Sequence, residues 1–428
     1  MIKSILDIEN SDIDSLKKSL PNIDLRRVSV DTTDYSCFTN LYNILKENVT
    51  DPRRTSYGNV KYDFWEVLTI IIICTMFGIN KIKYIFDYAQ KKANEFKLFL
   101  KLENGMPKYD TYLRAIHNAS DTEIAISRKK WVDSLTIPKV TSEDEKFVYQ
   151  GKEISINAQD GKTIIGSGCI SQGIRPSHII TNINTETGEI LGEIEVDKKT
   201  NEIKGNLELI ENIPSLNGVL TTLDAIGCQK NLGNAINGKG GLFLFQVKKN
   251  QIVLYYDIIF AFENKYTEFD SEFEKNRNRY ERRDFFYSDD IKYIPVLSEW
   301  NGVKSYGLIR NITIVNGTIT VDYHAYIMNF SDKNLFIKAA RAHWYVENNL
   351  HYIEDTVYEE DKCKVRKGNG PKVLNSIRKF GVEVFSRISS SLNKVYGVKR
   401  LVNFSRNSLS DLADILSGNL DILFSNSL

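Results

Sequence analysis

EISINAQDG at 153–161 and GVLTTLDAIG at 218–227 decide how this chain folds. Each is a short run of apolar and β-branched residues that closes on an aspartate followed by small residues or glycine, the text of a strand. Working outward, SHIITNIN (177–184), the turn TETG and EILGEIEV (189–196) read as a hairpin. NEIKGNLELIENI and CQKNLGNAINGKG read as helices, and GLFLFQVKKN (241–250) as a further strand. Three strands in succession, then helix and strand in alternation, predict a mixed sheet with helices packed on it, an α/β or α+β layer fold.

The flanks differ in period. From Asp51 to about 136 the pattern is helical, with Asp63 and Asp110 as expected N-caps and Gly78-Ile79-Asn80 as a stop. The apolar run VLTIIIICTMFGI (67–79) has 13 residues. A bilayer span needs roughly 18–20, so it reads as a buried helix. Pro138 to Lys152 reads as a polar linker. Between 252 and 332 a β-rich passage intervenes, with Asn316-Gly317 as the turn of a hairpin. Helical text returns at 333, and a mostly helical tail runs to Leu428. The expected parts are an extension (1–50), a helical N-terminal domain (51–150), a core in two pieces (151–251 and 333–385) split by the insertion (252–332), and the tail (386–428).

Composition narrows the classes. At roughly 150 residues per domain, 428 residues make two or three domains. With 42% apolar and 26% charged residues a sizeable core forms and wholesale disorder is excluded. The 56 basic and 55 acidic residues balance, so any polyanion-binding surface requires charge to be segregated along the chain. Five scattered cysteines, without zinc spacing, fit a reducing compartment. The acidic N-terminus has no apolar signal core, and a cytoplasmic, nucleoid-associated protein with no membrane partner is expected.

Three groups of residues carry chemistry. Asp160 and Asp224 sit at expected strand ends, where side chains escape the packed layers. Two such acids repel unless a cation joins them, and Mg²⁺ favours oxygen ligands; simple capping of the next turn is an equally good reading of spacing alone. Along the helix after 333, His343, Glu347, His351 and Asp355 recur every four residues on one face, with Trp344, Val346, Leu350 and Ile353 on the other. A solvated polar face is the plain alternative; the sharper reading makes Glu347 a third acidic ligand. The third group is basic. KCKVRKGNGPKVLNSIRK (362–379) has seven cations and no acid, and KNRNRYERR (275–283) has five cations and one acid. Cations beside carboxylates suit cutting a phosphodiester. No phosphate loop or HExxH run is present.

At these residues the chain resembles insertion-sequence DDE transposases of the H-repeat-associated (ISAs-type) group. The likeness lies in AQDGKTIIGSG (158–168), LDAIGCQKNL (223–232), QVKKNQ (246–251) and HWYVENNLHYIEDTVYEEDKCKVRKGNGP (343–371), with DPRR (51–54) and GMPKYDTYLR (105–114) upstream. It departs at Gln159, where an apolar residue is usual, and in the insertion, where Asn278 to Arg283 lacks a glycine. The resemblance implies an RNase H-like core and a DDE triad of Asp160, Asp224 and Glu347 holding two Mg²⁺ ions, with Mn²⁺ as a substitute. It implies supporting roles for His343, Asn348, His351 and Asp355. DNA contacts are expected from Arg279, Arg283, Lys248, Arg366, Lys367 and Lys372. The partners implied are double-stranded DNA, as terminal inverted repeats and target, and a second copy on that DNA. The function implied is strand cleavage and transfer at insertion-sequence ends; a catalytically silent DNA-binding remnant is the alternative.

Overall fold

The computed structural model describes residues 33–53, 60–137, 147–196, 201–264, 269–276, 278–392, 396–406, 408–420 and 423. Most of the 1–50 extension, Arg54, Arg277 and the 138–146 part of the expected linker lie outside them.

Helices α1 (Ser36–Asn48), α2 (Phe64–Met76), α3 (Ile82–Lys91), α4 (Tyr109–Asn118) and α5 (Asp121–Ser134) form the N-terminal part. The long apolar run lies in α2, which is buried on nearly every side. Asp63 caps it, accepting hydrogen bonds from the Trp65 and Glu66 amides, and Gly78 in the left-handed region (φ +72°) turns the chain away after it. At α4 the expected cap is corrected. Lys108 is the N-cap and Asp110 stands inside the first turn, where its charge meets the helix dipole instead.

Among the described residues ten strands make one sheet, in the order β4-β3-β2-β5-β6-β10-β9-β8-β7, with β1 (Phe147–Tyr149) beside β2. One side of it is β2 (Lys152–Thr163), β3 (His178–Asn184), β4 (Ile190–Val196), β5 (Val219–Leu223) and β6 (Leu242–Val247). β2, β5 and β6 run parallel, and β3 is antiparallel to both of its neighbours, β2 and β4. The order β4-β3-β2-β5-β6 with these directions makes the mixed sheet expected of an RNase H-like core. Helices α6 (Glu202–Glu211) and α7 (Lys230–Gly238) make the crossovers to β5 and β6.

The passage after 251 opens on a helix, α8 (Ile252–Asn264), hidden in β-branched and aromatic text. β7 (Asp270–Asn276), β8 (Arg279–Ser288), β9 (Ser305–Val315) and β10 (Thr318–Met328) then extend the sheet. The β9–β10 turn is Asn316-Gly317, both at positive φ (50° and 82°), as the dipeptide predicts. β10 hydrogen-bonds to β6, so the insertion continues the same sheet rather than standing beside it.

α9 (Lys333–Tyr345) leads through a π-helical segment, Val346–His351, into α10 (Tyr352–Thr356). The long α11 (Gly370–Ser391) packs against α2 and α5. Val346, Leu350 and Ile353 therefore share one apolar core with the N-terminal helices. The tail adds α12 (Val398–Ser405) and α13 (Leu409–Leu416). Among the described residues no helix is long and apolar enough to cross a membrane.

Candidate active site

The two aspartates are placed by sheet register. Gln159 pairs with Leu223 across parallel β2 and β5, so the next step along each strand carries Asp160 and Asp224 side by side. Adjacent strands lie roughly 5 Å apart. One expectation is corrected: β2 does not end at the acid. It runs to Thr163, and Asp160 remains paired with Thr181 of β3 because β3 extends the ladder past the end of β5. Asp224 does follow the last residue of its strand, and its Oδ1 accepts from the Ile226 and Gly227 amides at 3.0 and 3.1 Å. Gly161 is required where it stands. A Cβ there would lie 2.5 Å from Glu202 Oε1 and 2.6 Å from His178 Nε2, which share a buried 2.5 Å hydrogen bond.

Glu347 is exposed on the second residue of the π segment. The expected unbroken stripe of period four is thereby corrected: the wider π turn interrupts it between His343 and His351, and such bulges are frequent at functional sites. The helix is pinned on both sides of the acid. Upstream, buried His343 Nδ1 lies 2.9 Å from Thr222 Oγ1, two residues before Asp224. Downstream, Lys162, two residues beyond Asp160, donates to Asp355 at 2.8 Å, to Glu354 at 3.3 Å and to the His351 carbonyl at 3.4 Å, and pairs with Glu360 at 3.1 Å.

The electrostatics register this convergence. Burial, followed by the charges of Asp224 and Glu347, pushes the Asp160 carboxyl up to about 7, against one lowering hydrogen bond from the Gly161 amide. His351 Nδ1 stands 3.4 Å from Asp160 Oδ2. Burial and then the cations Lys162 and Lys379 hold its pKa down to about 3, so the contact joins a neutral imidazole to a carboxyl. His343, driven down to about 4 mainly by burial, is neutral too. Among the described residues no three His, Cys, Asp or Glu side chains close on one point as a finished metal cage. The donor set nevertheless suits a hard cation: three carboxylates, all oxygen, whose mutual repulsion already raises Asp160.

The residues that sequence reasoning missed lie behind the acids. Glu360 is fully buried between Lys162, Arg378 and Asn375. Lys379 reaches Glu193 of β4 and Thr181 of β3, and Arg128 of α5 joins Glu193 to Glu383. Asp355, expected in a supporting role, belongs to this network through Lys162. The available signal was alternation: Lys162 is two positions after Asp160 and so shares its face of the strand.

Residues 131–379 match the family described as "Transposase DDE domain", and residues 46–132 match "DDE_Tnp_1-associated". The chain belongs to the DDE transposase family. It is 28% identical over 388 residues to YhhI, an H repeat-associated protein of Escherichia coli (strain K12), covering 86% of this chain and 96% of that one. It is also 28% identical to YbfL of the same strain over 377 residues, covering 84% and 93%. A piggyBac transposase synaptic complex with hairpin DNA aligns over 94% of this chain and 84% of that one, at 12% identity and a TM-score of 0.42, too distant to argue from.

In this DDE-family chain the expected basic residues have diverse settings. Lys248 is exposed just after β6, near enough for its charge to depress both His343 and His324 after burial has done so. Arg283 is spent on Glu274 and Glu281 and lies 5.8 Å over the Trp344 ring, while exposed Arg279 pairs with Glu281. Arg366 donates to the Gly168 carbonyl at 2.8 Å, Lys367 is exposed, and Lys372 pairs with Glu195 at 2.5 Å. Asn348 is exposed beside Glu347.

Proposed function

We propose that this protein is a metal-dependent DNA transposase that cleaves the ends of an insertion sequence and joins them to target DNA. The observation that carries the reading is the β2–β5 register, which sets Asp160 beside Asp224 while Glu347 acts on the same carboxyl. Asp160, Asp224 and Glu347 would hold two Mg²⁺ ions, or Mn²⁺ in their place. Bound there, divalent ions supply Lewis-acid stabilisation to both the attacking and leaving oxygens of an in-line phosphoryl transfer.

The chain's own groups do the rest. The Asp224 Oδ1 hydrogen bonds fix that carboxylate and leave Oδ2 for a ligand. Neutral His351 orients Asp160 without competing for its charge. The pins at His343 and Lys162 keep Glu347 opposite the two strands. Lys248, Arg366 and Lys367 supply positive charge for phosphates flanking the cut, and two copies would act together on paired DNA ends. The test is nicking and strand joining on duplexes carrying the element's terminal repeats, with Mg²⁺. Wild-type protein nicks and joins; Glu347→Gln does neither. Undiminished cleavage by Glu347→Gln would remove that residue from the metal site.

A further inference from the structure

A second basic surface lies on the N-terminal helices. A cleft of about 360 Å³ opens beside α2 and α4, and its lining includes Arg53, Lys61 and Arg114 but no carboxylate. Asp51 holds the Arg53 guanidinium through bonds of 2.8 and 2.6 Å, and the Tyr62 carbonyl accepts a third at 2.7 Å. Arg53 is thus a braced wall, and the surplus charge rests on Lys61 and Arg114. Both are exposed. Lys61 rests 5.7 Å over the Tyr62 ring, and among the described residues no ion pair engages Arg114, not even with Asp110 one turn earlier.

The basic segment after the acidic helix docks beside the cleft. Asn118 lines the cleft, and its neighbours receive that segment. The Asn369 amide donates to the His117 carbonyl at 3.0 Å, and its side chain donates to the Ala119 carbonyl at 2.9 Å. Gly368, at φ +55°, passes so close that a Cβ would stand 2.5 Å from the His117 oxygen. After burial, the charge of Lys367 is what depresses His117. Lys364 and Lys367 are exposed, with no ion pair among the described residues. Next to Lys367, Arg366 binds the Gly168 carbonyl in the loop after β2, and Ile165 of that loop donates to Asp361.

We propose that Lys61, Arg114, Lys367 and Arg366 form a track for the sugar–phosphate backbone of duplex DNA, leading from the α2–α4 cleft to the strand that carries Asp160. Cations strung along a surface suit a polyanion, whereas a free anion calls for donors converging on one point. Arg114 and Asn118 alone span about 6 Å of helix axis, and the line continues past them. Braced Arg53 and the glycine-tight docking of 367–369 hold this line in place before DNA arrives. The inference rests on reading the chain as acting on DNA, but not on Glu347 as a metal ligand.

The test measures binding of a fluorescein-labelled 30-base-pair duplex of arbitrary sequence by anisotropy, from 50 to 300 mM salt, in EDTA. Full-length Lys61→Ala/Arg114→Ala and Lys367→Ala proteins are compared with wild type and with Lys292→Ala, an exposed cation of the insertion. The expected result is weaker binding and a salt slope reduced by about two for the double variant and about one for Lys367→Ala, with Lys292→Ala unchanged. Wild-type affinity and slope in both track variants would overturn the proposal. So would a cleft that takes free anion instead: inorganic phosphate raising the melting temperature of wild type but not of the double variant, with duplex affinity equal in both. The reading of function fails separately, if the track variants lose duplex affinity while wild-type protein cleaves no terminal-repeat DNA.

Discussion

Lys162 Nζ lies 2.8 Å from the Asp355 carboxylate, joining the strand of Asp160 to the helix of Glu347. The two residues are 193 positions apart in sequence, yet each stands within eight residues of a candidate metal ligand. Lys162 keeps its charge despite burial because Glu354, Glu360 and Asp355 raise its pKa. Two of those carboxylates are themselves buried and depend on it.

Removing Lys162 therefore leaves uncompensated charge in the interior. Lys162→Met should cost about 3–5 kcal/mol in urea unfolding, the usual penalty for taking one partner from a buried ion pair. Adding Glu354→Gln should recover part of it, since that residue's carboxyl is already pushed upward by burial and by Glu360. A loss below about 1 kcal/mol would show that the network is not what ties the helix to the strand.

Asp160 sets a pH dependence of stability. Its folded pKa is raised to about 7, so between roughly pH 4 and 7 the folded state binds more protons than the unfolded chain. Stability of the metal-free protein then falls as pH rises through that window. Asp160→Asn removes the penalty. Its melting temperature in EDTA should exceed that of wild type by about 2–4 °C at pH 8, with the gain vanishing near pH 4. Mg²⁺ should stabilise wild type at pH 8 and leave the variant unmoved. A variant less stable than wild type at pH 8 would contradict the assigned repulsion.

The upstream pin is tested at Thr222. Its hydroxyl is the hydrogen-bond partner of buried His343. Thr222→Val keeps the shape of the β5 side chain but strands the imidazole, at a cost of about 1–3 kcal/mol. Because neutral His343 positions the helix four residues before Glu347, cleavage by the folded variant should fall in kcat more than in KM. Unchanged urea stability would mean the ring finds another partner.

Much of this arrangement is legible in the residues themselves. Alternation and β-branching mark β2, β5 and β6; the aspartate that closes the apolar run of each of the first two marks the pair that the strand register sets side by side, and Asn316-Gly317 marks its hairpin. What the text hides is whatever depends on contacts between elements. Asp160 reads as a strand end because glycine comes next, but β3 supplies a partner beyond β5 and the strand continues. Ile252 to Asn264 reads as β because its branched and aromatic residues suit either state, and packing on β9 and β10 settles it as helix. Glu360 reads as part of an acidic run, YEED (358–361), and Glu354 carries no signal of its own, since their partners Lys162, Lys379 and Arg378 are distant in sequence or on another helix.

The π segment makes the most demanding prediction. A π turn holds one residue more than the α-helix it replaces, and here it lies between two fixed points, His343 on β5 and the Glu354–Asp355 pair on Lys162. Deleting exposed Asn348 would let the segment relax to α-helical geometry while leaving the buried Val346 and Leu350 in the chain. With the extra residue gone an α-helix spans the same two pins, so α9 and α10 keep their places while the side chains between them, Glu347 included, turn by up to about 100°. The deletion should retain helical circular dichroism and a cooperative melt while losing at least about 100-fold in cleavage rate, as a misplaced catalytic group does. Re-inserting alanine at that position should restore most of the rate, because the register rather than the Asn348 amide is what matters. If the deletion protein cuts as fast as wild type, the extra residue has no part in placing Glu347.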